Sequence, residues 1–141
     1  MAIQRSAIIL INGQDEVALI KREKKDTVYY VFPGGGREDG ATLEETAIRE
    51  AWEELGLHVE LEGLAAEVVF NDHLNPYFWA KATGGEFGTG TGEEFVDGMS
   101  GYTPVWIARE DLLSYPVRPM SLAKRLAEGN ERFHGLRLEE N

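Results

Sequence analysis

A strand, an abrupt stop and a capped helix follow one another over residues 28–56, and few folds accommodate that succession. Val28-Tyr29-Tyr30-Val31-Phe32 has the aromatic and β-branched composition that strands prefer. Pro33 and three glycines, 34 to 36, break it off. Proline has no N–H for a ladder and consecutive glycines have no side chains to pack, so a loop is expected there. Thr42 with Glu45 three residues later forms a capping-box pattern, and Gly56 is the residue type that ends helices in the left-handed conformation. Together they predict a helix over residues 43–55.

Around this unit the pattern is mostly strand. Residues 7–11 form an apolar run, Asn12-Gly13 is a hairpin signal, the apolar pattern resumes over 17–20, and Lys24-Lys25-Asp26 turns the chain back, so residues 3–32 read as three strands. Strands over 67–71 and 77–82 are expected to be joined through 72–76. Residues 84–101 contain seven glycines and read as a long mobile loop. A further strand covers 102–107, at an edge or bulge because of Pro104. Pro119 opens a second helix that Gly129 ends. Strands, helix, strands, helix predict an α/β or α+β arrangement in which helices cover a mixed sheet, and 141 residues suit one domain, 1–141.

Composition removes several function classes. The formal charge of −11 argues against nucleic acid as a partner, since phosphate backbones are bound by basic stripes. Without cysteine there is no disulfide, no thiolate zinc site and no thiol nucleophile. The apolar run at 7–11 is far too short to cross a membrane. The expectation is a cytoplasmic chain with no membrane partner. The three histidines share no ligand spacing, and no serine sits in a G-x-S-x-G elbow.

The first helix carries the chemistry. At about 100° per residue Glu50, Glu53 and Glu54 fall within one sector, while Ile48, Trp52 and Leu55 fall opposite and are expected to be the buried face. Neighbouring carboxylates on a helix repel by a few tenths of a kcal/mol, so the cluster stabilises little unless a cation sits on it. Magnesium suits such a face, taking one or two carboxylates, water and the oxygens of a substrate phosphate. The plainer reading is a solvated acidic face.

Residues 33–57, Pro-Gly-Gly-Gly-Arg-Glu-Asp-Gly-Ala-Thr-Leu-Glu-Glu-Thr-Ala-Ile-Arg-Glu-Ala-Trp-Glu-Glu-Leu-Gly-Leu, resemble the Nudix box, G-x5-E-x7-R-E-U-x-E-E-x-G-U. Aligned from Gly35, the residues Arg49, Glu50, Glu53, Glu54, Gly56 and Leu57 fall in register. Ala41 stands where the first Glu belongs, and Ala51 where a bulkier residue is usual. The resemblance to Nudix hydrolases implies an α/β/α sandwich with a mixed central sheet. It also implies hydrolysis of a small-molecule nucleotide substrate, a nucleoside diphosphate derivative such as a nucleoside triphosphate, an oxidised nucleotide or a nucleotide conjugate. Mg2+ or Mn2+ would be held by Glu50, Glu53 and Glu54. By the same resemblance Arg49 holds the carboxylates in place, and Glu94, with Glu93 beside it, is the late-loop carboxylate that reaches the metals or serves as base. Gly35 and Gly36 in the box, Arg22 on its strand, and Tyr30 and Phe32 as aromatic walls complete the expected substrate site. Homodimers are common in the family, so a homodimer is expected. The alternative is a nucleotide-binding or regulatory module that cleaves nothing.

Overall fold

The computed structural model describes residues 5–90, 101–129 and 131–140. Its strands are β1 (Arg5–Leu10), β2 (Glu16–Lys24), β3 (Thr27–Val31), β4 (Gly34–Gly36), β5 (Leu57–Phe70), β6 (His73–Gly85), β7 (Gly101–Ala108), β8 (Val117–Arg118) and β9 (Leu136–Glu139). Helix α1 spans Leu43–Leu55, α2 spans Met120–Glu128, and a 3-10 turn covers Arg109–Ser114. Five strands form a mixed sheet in the order β4-β1-β6-β5-β9, and four form a second sheet in the order β7-β2-β3-β8. The expected α/β class therefore holds, with two sheets in place of one.

Strand β1 explains why the run at 7–11 is apolar throughout. Ile8 and Leu10 face a core that holds Ala47, Ala51 and Leu55 of α1. Ala7 and Ile9 face the opposite core, with Leu122, Ala123 and Leu126 of α2. A strand covered on both faces needs apolar residues at every position, not at alternate ones. No helix among the described residues is long and apolar enough to cross a membrane.

Helix α1 has the bounds its caps predict. Thr42 Oγ1 accepts from Glu45 N at 3.0 Å, Glu45 Oε1 accepts from Thr42 N at 2.8 Å, and Gly56 closes the helix at φ 77°. Its orientation differs from expectation. The buried side is Thr46, Ala47, Ala51, Glu54 and Leu55, whereas Ile48 and Trp52 are exposed at 39% and 38%. Two alanines let the helix lie close on the sheet, and Trp52 instead stacks on His58 with ring centres 4.3 Å apart. Enlarging Ala51, which is wholly buried, would push the helix off.

Three other segments depart from the expected pattern. The glycines 34 to 36 are not a loop but a short strand paired antiparallel with β1, Ser6 opposite Gly35. A Cβ on Gly34 would lie 2.5 Å from Ala7 Cβ and from Ser6 O, so only glycine permits this approach. Asn12-Gly13 does not make a hairpin within one sheet. It carries the chain from the first sheet to the second, with one bridge, Ile11 to Val17, across the turn. The joint expected at 72–76 is a two-residue turn, Asn71 and Asp72, both at positive φ, and β6 starts at once with His73. Pro104 does mark an edge strand, β7, and Pro119 and Gly129 do bound α2.

Candidate active site

Helix α1 is fastened to the first sheet at both ends. Ser6 Oγ donates to Leu43 O at 2.8 Å near its start, and near its end the buried Glu54 Oε1 accepts from Gly34 N at 2.7 Å. A carboxylate costs several kcal/mol to bury unless its oxygens are satisfied, and the β4 backbone supplies that donor. Glu50 lies one turn earlier over the same strand. A Cβ on Gly35 would overlap its carboxyl group, with Oε1 at 2.8 Å, so the missing side chain leaves the space the carboxylate occupies.

Arg49 gathers the acids. Its Nη2 donates to Glu50 Oε2 and to Gly36 O, both at 2.9 Å, while Nη1 stands 3.3 Å from Glu38 and Nε 3.7 Å from Glu53. The hydrogen bond to Glu50 holds the guanidinium pKa above the ordinary arginine value; burial opposes this, and the charges of Glu50, Glu38 and Glu53 reinforce it. Arg49 is thus committed to the protein's own carboxylates. Among the described residues no three His, Cys, Asp or Glu side chains converge as a ready metal cage. The donor chemistry nonetheless suits a hard divalent cation, which needs one or two protein carboxylates and draws its remaining oxygens from water and phosphate. Glu50 Oε1 is one such oxygen, with no hydrogen bond among the described residues.

Beside this face opens a cavity of about 590 Å³. Gly34 and Gly35 form one wall, and Phe32, Tyr77, Asn75, Arg5 and Arg118 stand around it. Phe32 and Tyr77 meet edge to face at 5.7 Å. Burial pushes the Tyr77 phenol up to about 12, with Arg5 pulling it down and Glu140 adding to the rise. A smaller recess shares Arg5 and is lined by Gly36, Arg37 and Asp39.

Of the residues expected at the site, Arg49, Glu50, Glu53 and Glu54 share one side of α1, and Gly35 and Phe32 line the cavity. Gly36 lies in the smaller recess. Arg22 and Tyr30 lie off the cavity: Arg22 stacks on Tyr102 at 4.0 Å and Tyr30 meets Tyr115 edge to face at 5.3 Å. Glu93 and Glu94, with the core of the expected long loop, lie outside the described residues. The cavity residues absent from the sequence reading are Arg5, Asn75, Tyr77 and Arg118. They come from three strands, β1, β6 and β8, that only the sheet pairing brings together.

Comparison with known proteins locates this arrangement. The NUDIX domain model matches residues 2–128. An RNA pyrophosphohydrolase of Roseobacter denitrificans is 38% identical over 60 residues, 43% of this chain and 38% of that protein. A putative 8-oxo-dGTP diphosphatase of Bacillus subtilis is 33% identical over 89 residues, 61% of this chain and 58% of that protein. The chain thus spans about two-fifths to three-fifths of the length of these two relatives. The structure of an ADP-ribose pyrophosphatase from Streptococcus suis superposes with a TM-score of 0.69 at 18% identity, covering 96% of this chain and 97% of that one.

Proposed function

Because the chain belongs to the NUDIX domain family, we propose that it is a metal-dependent hydrolase that cleaves the diphosphate linkage of a nucleoside diphosphate derivative. One observation carries this reading: the acidic face of α1 and the cavity meet at Gly35, which lines the cavity and lies beneath the Glu50 carboxylate. A nucleotide in the cavity would therefore present its phosphates to the carboxylates. An anion would be repelled by Glu50, Glu53 and Glu54 alone, so these residues would hold magnesium or manganese, which when bound neutralises the phosphates and polarises their oxygens. Arg49 keeps Glu50 and Glu53 in place, and Glu54 fixes the helix to β4. Phe32 and Tyr77 offer apolar walls to the nucleoside. Glu94 remains the proposed further carboxylate.

The test is turnover of a nucleotide panel with magnesium, with the products identified as monophosphate, pyrophosphate or phosphate. Glu53→Gln preserves shape and removes charge, and turnover should fall by about 100-fold or more with little change in unfolding temperature. Wild-type rates in that variant at saturating magnesium would contradict the assignment. Nucleotide binding without product across the panel would favour a binding module. The dimer and the cytoplasmic setting rest on family resemblance and composition; a light-scattering mass near 15.7 kDa would reject the dimer.

A further inference from the structure

The cavity carries one arginine at each end. Arg5 pairs with Gly36 and Arg118 with Val31, five residues apart along the segment that forms the glycine wall, up to roughly 16 Å of chain. Neither guanidinium has a hydrogen bond or an ion pair among the described residues. The one acid at the cavity among the described residues, Glu140, is engaged elsewhere: Oε2 accepts from Met120 N at 2.6 Å and Oε1 from Ser121 N at 2.9 Å. The cavity therefore carries two guanidinium groups whose N–H donors no described acceptor takes up.

The two ends are not equivalent. Gly34, Gly35 and Gly36 are the residues that touch Glu54, Glu50 and Arg49, so the diphosphate belongs at the Arg5 end if the proposed hydrolysis is to occur. The base is then left at the Arg118 end. There Arg118 is braced with its guanidinium carbon 4.1 Å from the centre of the Tyr29 ring, which fixes the plane of the fork and leaves its edge for a ligand. A planar fork of N–H donors pairs with two adjacent acceptors. Guanine presents them as O6 and N7, while adenine puts an amino donor beside N7.

We propose that Arg118 selects the base, and that the cavity takes guanine-type nucleotides in preference to adenine nucleotides. The inference rests on the hydrolase reading only for the direction in which the nucleotide lies. Calorimetry with GMP, IMP and AMP in the absence of metal tests it apart from turnover. GMP should bind about 10-fold or more tightly than AMP, and IMP, which keeps O6 and N7 but lacks the 2-amino group, should follow GMP. Arg118→Gln, a side chain suited to adenine, should remove or invert the preference, and Arg118→Lys, which keeps the charge but loses the fork, should weaken it.

Equal or undetectable binding of GMP and AMP overturns the proposal, as does IMP behaving like AMP. So does a Gln variant that weakens both ligands alike, which would make Arg118 a phosphate contact, or a Lys variant that keeps the full preference, which would show that the planar fork does not read the base. The IMP comparison needs no variant, so a folding defect at position 118 leaves the proposal testable. GTP and ATP turnover with magnesium separates the two readings: no cleavage, with the GMP preference intact, removes the hydrolase and leaves the base selection standing.

Discussion

Gly35→Ala should separate catalysis from folding in this chain. A methyl at Gly35 would lie 2.8 Å from Glu50 Oε1 and nearer still to the rest of the carboxyl group, where ordinary contact begins near 3.4 Å. The carboxyl group has to retreat by about 1 Å, and a displacement of that size in a reacting constellation costs on the order of 100-fold in rate. The move also pulls Glu50 Oε2 from Arg49 Nη2, at 2.9 Å. Stability should change little. The flexible end of a side chain gives way, a partly exposed ion pair contributes about 0–1 kcal/mol, and replacing glycine by alanine narrows the unfolded ensemble by a similar amount. Gly34→Ala is the matched control: its methyl meets Ser6 O and Ala7 Cβ at 2.5 Å and Ala7 Cα at 2.7 Å, within a buried strand that cannot yield. That variant should lose about 1–3 kcal/mol or more. Initial rates with magnesium, read beside thermal unfolding by circular dichroism, distinguish the two. A Gly35→Ala protein with near wild-type turnover, or one destabilised as much as Gly34→Ala, would refute the placement of Glu50 in the reacting site.

Three further outcomes follow from the same geometry. Ala41→Glu restores the first acid of the box and should raise turnover or tighten apparent magnesium affinity; a fall with folding intact would mean that the loop has adapted to a small residue there. Tyr77 should make stability fall at alkaline pH. Its phenol ionises near 10.0 in the unfolded chain and near about 12 when folded, so the contribution is whole below pH 10 and is lost as pH rises through 12, at most about 3 kcal/mol. The wild type should thus lose ground to Tyr77→Phe over that interval in urea titrations, and a constant difference would contradict it. Glu140→Ala strips the N-terminus of α2 of both its acceptors and should cost about 1–2 kcal/mol, lowering the unfolding temperature by several degrees.

Legibility followed the range of the interactions. Helix α1 could be bounded to the residue because its caps, Thr42, Glu45 and Gly56, act within three or four positions. Its rotation could not be read, because the close seat of Ala47 and Ala51 on the sheet, and the Gly34 N–H that makes Glu54 buriable, lie on another element. The same holds for β4. Three glycines read locally as an interruption, and only β1 beside them turns the absence of side chains into a reason for pairing. Acids spaced along one helix were visible as a candidate site; Arg5, Tyr77 and Arg118 had no local signal, since parallel pairing of β1 with β6 and of β3 with β8 assembles them.

The last strand ties the cavity to a part of the chain remote from the acids. Residues 34–54, which carry the acids and their glycine supports, are contiguous and lie inside the family match, whereas β9 and Glu140 lie beyond its end at residue 128. That tail is laid parallel along β5, Ala66 opposite Leu136, and clamps α2 at the rim of the cavity. Substitutions in the tail can therefore reshape the rim of the cavity without touching the acids. Exchanging the segment after α2 between relatives should alter affinity at the rim of the cavity, while the base preference stays with Arg118 and the chemistry with the acids of α1.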